Sequence, residues 1–271
     1  MGACKKHNRH DGFTLIELSI VLVIIGLIVG GVLTGRSLIR AAELRSIITD
    51  EQRYVTAVNT FRTKYNEIPG DMADATNFWG TDPNGCPDPG GSATPQTTTC
   101  NGNGNGIIES EGVSPSGGGI LEGFRAWQQL ANVGLIQGAY SGVSYTLGIP
   151  WSYMPGVNIP ATKLPNGGFA WMVFDNTGQE SPGTWNAQVS VQYLLLGAVQ
   201  SASGKLMQPL LTPTDAQAID IKMDDGIAYT GVVLSIVGDG NCTAPAFSST
   251  PAYNTSNGTP ACTLLFQVKS W

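Results

Sequence analysis

Polar and apolar positions divide the chain into stretches of different character. Phe13 to Gly35 reads FTLIELSIVLVIIGLIVGGVLTG, apolar or small almost throughout, with Glu17 its one ionisable group. From Arg36 the pattern becomes amphipathic. Leu44, Ile48, Val55, Val58, Phe61 and Tyr65 recur at steps of three, four or seven residues, among Glu43, Arg45, Asp50, Glu51, Arg53, Arg62 and Lys64. Together these stretches predict one continuous helix from about Phe13 to Tyr65, stopped by Pro69-Gly70. At about 1.5 Å per residue its apolar half reaches roughly 34 Å, enough to cross a bilayer core.

Past residue 67 the periodicity shortens. GFRAWQQLANVGLI (123–136) has helical spacing at Phe124, Trp127, Leu130, Ala131 and Leu135, an aromatic stripe that reads as core. FAWMVF (169–174) and VSVQYLLLGAV (189–199) read as strands between Gly/Pro turns, and TGVVLSIVG and TLLFQV as later ones. LLTPTDAQAIDIKMDDG (210–226) reads as a helix capped by Thr212 or Thr214, with Ala218, Ile219 and Met223 inward and Gly226 ending it. Asp220, Asp224 and Asp225 allow a metal or acid-base reading, but a solvated helix face near its C-terminus is the expectation. Thr94 to Thr99 is low in complexity and reads as an exposed loop.

The leader MGACKKHNRHDG changes the reading of the apolar run. Lys5, Lys6 and Arg9 precede it, on the side expected to stay in the cytoplasm. A secretory signal would have a shorter apolar core and then a small-residue cleavage site, whereas this run continues into more helix. A carboxylate inside the run is costly in lipid, so Glu17 needs either the interface or a partner.

Both histidines and Cys4 lie in the leader. The four remaining cysteines, Cys86, Cys100, Cys242 and Cys262, form an even set suited to two disulfides in an oxidising compartment. Sequence neighbours favour Cys86–Cys100 and Cys242–Cys262, although four cysteines allow three connectivities. Zinc is the competing reading, but neither pair has CxxC spacing and no His is near. NGNGNGIIESE follows Cys100 directly. Asn101, Asn103, Asn105 and Gly106 fit the spacing of a calcium loop, with Ile107 and Glu109 completing the set and Ile108 as anchor. The early ligands are all neutral amides, so a plain Asn/Gly turn beside a disulfide is the alternative. No cofactor is required by the sequence.

GFTLIEL resembles the processing site of type IV prepilins and pseudopilins: a short basic leader, Gly-Phe, a Glu five residues past the cut and an uninterrupted apolar helix. The resemblance implies removal of residues 1–12 after Gly12 by a membrane prepilin peptidase, N-methylation of Phe13, and Glu17 as the assembly acid that meets the new amine of a neighbouring subunit. Where many pilins carry a Pro near Thr34, this chain has Gly26, Gly30, Gly31 and Gly35 instead. PGDMADATNFW, RAWQQLANVGLI, NIPATK and LTPTDAQAIDIKMDDG also resemble segments of a group of long prepilin-like proteins. The implied fold class is α+β, the type IV pilin fold: a long N-terminal helix spine on an antiparallel sheet body with extra helices. The expected division is leader 1–12, membrane or filament-core half-helix 13–35, amphipathic half-helix 36–66 and disulfide-bonded body 67–271.

Composition narrows the function. Without the leader no His remains and the other cysteines are expected to be paired, which removes the common general base and thiol nucleophile. Acids and tryptophans are present, but their spacing marks no glycosidase site. Hence no enzyme is expected. A net charge of −6 argues against a phosphate-binding surface, and no specific nucleic acid is expected. The resemblance implies a filament subunit of a type IV pilus or type II secretion-like system. Its partners would be copies of itself or homologous pilins, the peptidase and methyltransferase, and an inner-membrane platform driven by a separate ATPase. It would sit in the bacterial inner membrane with its body periplasmic, then in a periplasmic or surface filament. The alternative is a minor pilin or tip adhesin whose body binds a surface, a glycan or DNA.

Overall fold

The computed structural model describes residues 14–86, 94–109, 122–144, 152–173, 191–201, 204–235, 241–244 and 252–268. The chain forms two units, Met1–Glu43 and Leu44–Trp271. Helix α1, Leu15–Tyr65, contributes to both and is long and apolar enough to cross a membrane.

In the first unit every large apolar side chain from Leu15 to Ile39 is exposed. The hydroxyls turn back into the helix: Ser19 donates to the Ile16 carbonyl, Thr34 to Gly30 and Ser37 to Thr34. These three hydroxyls are thus satisfied without water, as a lipid setting demands. A Cβ at Gly26, Gly30, Gly31 or Gly35 would meet nothing within 4 Å. These glycines answer to no contact among the described residues.

In the second unit α1 buries Leu44, Ile47, Glu51, Tyr54, Ala57, Val58 and Phe61. The sequence stripe catches Leu44, Val58 and Phe61. Its Ile48, Val55 and Tyr65 are only partly buried, at the margin of the packed face. Partners set the true centre: the Tyr54 ring lies edge-on to Trp127 at 4.9 Å and to Phe169 at 5.3 Å. The helix ends at Tyr65, the residue the sequence pattern predicts, with Asn66 rather than Pro69-Gly70 making the stop. Asn66 takes the left-handed conformation at φ 58°, and its N–H donates to the Arg62 carbonyl at 2.8 Å. Asn tolerates that conformation better than most side chains, so it caps the last turn.

A short helix α2 (Ala75–Trp79) follows, which the sequence pattern did not suggest. Helix α3 spans Glu122–Asn132 and α4 spans Pro213–Met223. Of the two candidate caps, Thr212 serves α4, its side chain accepting from the Asp215 N–H. The strands are β1 (Gly167–Val173), β2 (Gln192–Ala198), β3 (Val233–Ser235), β4 (Thr243–Ala244), β5 (Ala252–Tyr253) and β6 (Leu264–Gln267). They form a four-stranded antiparallel sheet ordered β1-β2-β6-β3 and a β4-β5 pair. β1 is buried along its whole length and β2 nearly so, which accounts for their continuous apolar runs. Trp127 of α3 stacks on Trp171 of β1 at 5.0 Å. A long helix, an antiparallel sheet and extra helices make this the α+β pilin fold.

Backbone crowding fixes one turn. A Cβ on Gly102 would fall 2.3 Å from the Asp71 carbonyl carbon, and the Gly102 N–H donates to the Met72 carbonyl at 2.8 Å. Rigid backbone has to move to admit a methyl group there. Gly102→Ala is expected to cost about 1–3 kcal/mol in urea denaturation, whereas Gly258→Ala, which meets open space, changes little.

Candidate assembly site and the carboxylate-bound loop

Gly12 and Phe13 lie outside the described residues; Glu17 lies within them. Thr14 precedes the first turn of α1, and Glu17 is the third helical residue. Glu17 Oε2 accepts from the Thr14 N–H at 2.8 Å and from the Thr14 hydroxyl at 2.7 Å, while the Glu17 N–H reaches back to Thr14 Oγ1 at 3.3 Å. This is a capping box, Thr-x-x-Glu, closing two helix-end donors reciprocally. The carboxylate that stood out in an apolar run therefore has a local role within its own subunit. Thr14 carried the signal in the sequence at the right spacing.

The second expected site, Asn101–Glu109, is an arch rather than an open ligand ring. Oδ1 of Asn101 accepts from the Thr76 N–H, that of Asn103 from the Asn105 N–H, and that of Asn105 from the Ile107 N–H. The amide nitrogens of Asn103 and Asn105 donate to the two oxygens of Glu109 at 3.1 and 3.0 Å. The amide oxygens a calcium ion would need are turned to backbone N–H groups, and amide donors face the Glu109 carboxylate. As arranged, the residues do not fit the ion.

What holds the arch comes from elsewhere in the chain. Asp71 accepts from the N–H groups of Asn105 and Gly106 at 3.0 and 2.8 Å. Glu122, at the start of α3, accepts from Asn103 and Glu109, both at 3.0 Å. Both acids are buried, and Gln129 of α3 accepts from the Gly70 N–H at 2.7 Å. The sequence points to the adjacent disulfide as the support of such a turn, and these two carboxylates are support it does not show. Backbone amides so distant in sequence leave no spacing signal, which is why Asp71 and Glu122 escaped notice.

Helix α3 is buried well beyond its aromatic stripe. Glu122, Arg125, Gln128 and Gln129 are all within the core. Arg125 Nη2 pairs with Asp82 Oδ2 at 2.9 Å, with both side chains almost fully enclosed. Gln128 Nε2 donates to the carbonyls of Gln96, Thr98 and Ser141. The disulfides are Cys86–Cys100 and Cys242–Cys262.

The three aspartates around the end of α4 are also structural acceptors. Asp220 is buried, not on a solvated face, and accepts from the Tyr253 hydroxyl at 2.9 Å and the Gly226 N–H at 3.1 Å. Asp224 accepts from the Val232 N–H, and Asp225 from the Ile227 N–H and the Thr230 hydroxyl. The turn to β3 recruits all three. Helix α4 itself ends at Met223, with Gly226 beyond it in a left-handed turn at φ 77°.

Burial also moves the acids. It raises Glu51 to about 7, Glu122 to about 8 against two backbone N–H bonds, and Asp220 to about 6 against its Tyr253 and Gly226 bonds. Each folded carboxyl keeps its proton to higher pH than in the unfolded chain. Their stabilising effect is complete below about pH 4 and is lost as pH rises through the folded values. The full chain in detergent is expected to melt higher at pH 5 than at pH 8. Glu51→Gln should recover about 1–3 kcal/mol at pH 8, and an unchanged difference between the two pH values would remove Glu51 as its source.

Residues 7–33 match the prokaryotic N-terminal methylation motif. No curated protein and no solved structure matches the chain. The motif and the apolar helix give the chain the N-terminus of the prepilin and pseudopilin family. They support a type IV pilin-like or pseudopilin subunit, a structural protein anchored in a membrane before assembly.

Proposed function

We propose that this chain is a structural subunit of a type IV pilus or a type II secretion-like filament, cut after Gly12, N-methylated at Phe13 and assembled through its N-terminal helix. The observation that carries the reading is the methylation motif at residues 7–33 running directly into an apolar helix that can span a membrane. Removal of the leader puts a free amine on Phe13, immediately before Thr14. Glu17 offers that amine, on a neighbouring subunit, a carboxylate already steadied by Thr14. A fixed acceptor has less rotamer freedom to lose on docking than a swinging one. Subunits then add by a heterologous contact that does not close, which gives an open filament. Copies of the chain or homologous pilins are its partners, after the peptidase and through a platform driven by a separate ATPase.

N-terminal sequencing of purified surface or periplasmic filaments tests this: N-methyl-phenylalanine followed by Thr14 is expected. An intact Met1, or a cut elsewhere, overturns it. One surface favours the tip-adhesin reading as second choice: Phe78 is 53% exposed, with its ring against Tyr65 and Trp79. A tip protein is scarce in sheared filaments, and a major subunit dominates them.

The Asn101–Glu109 arch belongs to the body's own framework in this reading. Millimolar calcium and chelator are both expected to leave the melting temperature unchanged, since Asp71 and Glu122 already engage the arch's N–H groups. A rise with calcium would restore Asn101, Asn103, Asn105, Ile107 and Glu109 as ligands.

A further inference from the structure

The two disulfides sit in different surroundings. Cys242 and Cys262 are both fully enclosed, with the Ser235 hydroxyl 2.9 Å from Cys242 Sγ. In the other pair Cys86 is exposed, while Cys100 is 1% exposed. Arg125 Nη2 lies 3.1 Å from Cys100 Sγ. That guanidinium also meets Asp82 Oδ2 at 2.9 Å and Gln128 Oε1 at 3.2 Å. The Asp82 charge is shared in turn with the Asn84 N–H, the Asn84 amide and the Gln96 amide. So one cysteine of this bridge lies at the surface, its Sγ 4.0 Å from the Thr99 carbonyl oxygen, and the sulfur of the other rests against a buried cation.

We propose that Cys86–Cys100 is a site of reversible thiol–disulfide exchange with small thiols, attacked at Cys86 and releasing Cys100. An incoming thiolate bonds to Cys86 Sγ, the Cys86–Cys100 bond breaks, and its electron pair leaves on Cys100 as a thiolate beside Arg125. The product carries the small thiol as a mixed disulfide on Cys86, with no net change in electron count. Exchange is faster when the departing thiol is the better thiolate, and a neighbouring guanidinium favours that form. Asp82 opposes the effect, since it accepts from the same Nη2 that meets Cys100 Sγ, but its charge is already spread over several donors. Cys100 can re-attack the mixed disulfide and restore the bridge.

The probe is reduced glutathione added in limited excess to the folded full chain in detergent, followed by acid quench, unfolding, labelling of free thiols and peptide mapping. Glutathione on Cys86, label on Cys100 and an intact Cys242–Cys262 bridge are expected. Glutathione on Cys100, opening of both bridges at similar rates, or opening no faster than global unfolding would each overturn the proposal. Arg125→Gln, with its melting curve recorded alongside, is expected to slow opening at Cys86 by about tenfold. A folded variant that exchanges at the wild-type rate removes Arg125 from the account. If the variant does not fold, the map of attack on the unaltered chain decides by itself.

Discussion

Asp82→Ala is expected to destabilise the body by about 3–5 kcal/mol, because it leaves the Arg125 charge enclosed without its carboxylate. Asp82 and Arg125 are 3% and 2% exposed, so water cannot take over the pairing. The loss reaches further than one ion pair. Asp82 also holds Asn84 and Gln96, and the Gln128 beside Arg125 ties the Gln96 and Thr98 carbonyls to α3. A double change, Asp82→Leu with Arg125→Met, should cost less than Asp82→Ala alone, since it leaves no unpaired charge behind. Urea denaturation of the three chains at one pH measures the ordering. If the double variant is the least stable, the polar network around the pair matters more than its charge.

For Glu17 the expected result is loss of assembly without loss of processing. Glu17→Ala removes both a helix cap and a charge, so it cannot say which one assembly requires. Glu17→Gln can, because a glutamine at the third helical position still closes a capping box. If docking depends on the charge, both variants should enter filaments about tenfold less or worse, with cleavage after Gly12 intact. Quantitative blotting of sheared filaments against total processed protein gives the ratio. Normal incorporation of the glutamine variant would assign Glu17 to capping alone. Thr14→Val supplies the converse test, since it keeps the charge and removes the hydroxyl that holds it.

The large elements were legible because they repeat. An apolar run followed by an amphipathic one predicts α1, and β1, β2, α3 and α4 each carry enough consecutive apolar or capping residues to be seen. What could not be read is where single polar groups go. Asp220 has the look of a solvated aspartate, yet Tyr253, 33 residues later, supplies its partner. Arg125 and Gln128 sit beside the aromatic residues of a helix and would pass for its wet face. Asp82, Thr98 and Ser141 arrive from other loops to satisfy them. Glu17 is the opposite case: the two halves of its capping box, Thr14 and Glu17, lie three positions apart, a spacing the sequence itself displays. Long-range polar pairing has no period, so only the folded chain displays it.

The bare first half of α1 limits how the subunit can travel. Its large apolar side chains are between 49% and 88% exposed, Val21 and Leu15 marking the extremes. Covering that surface is favourable by on the order of 20 kcal/mol in total. At that scale a copy released into water would be a vanishing fraction of the population, and a sticky one. Any route from bilayer to polymer must hand the helix from one greasy wall to the next with no aqueous waiting room between them. In the proposed filament, the departure from lipid and the arrival among neighbours are then a single step.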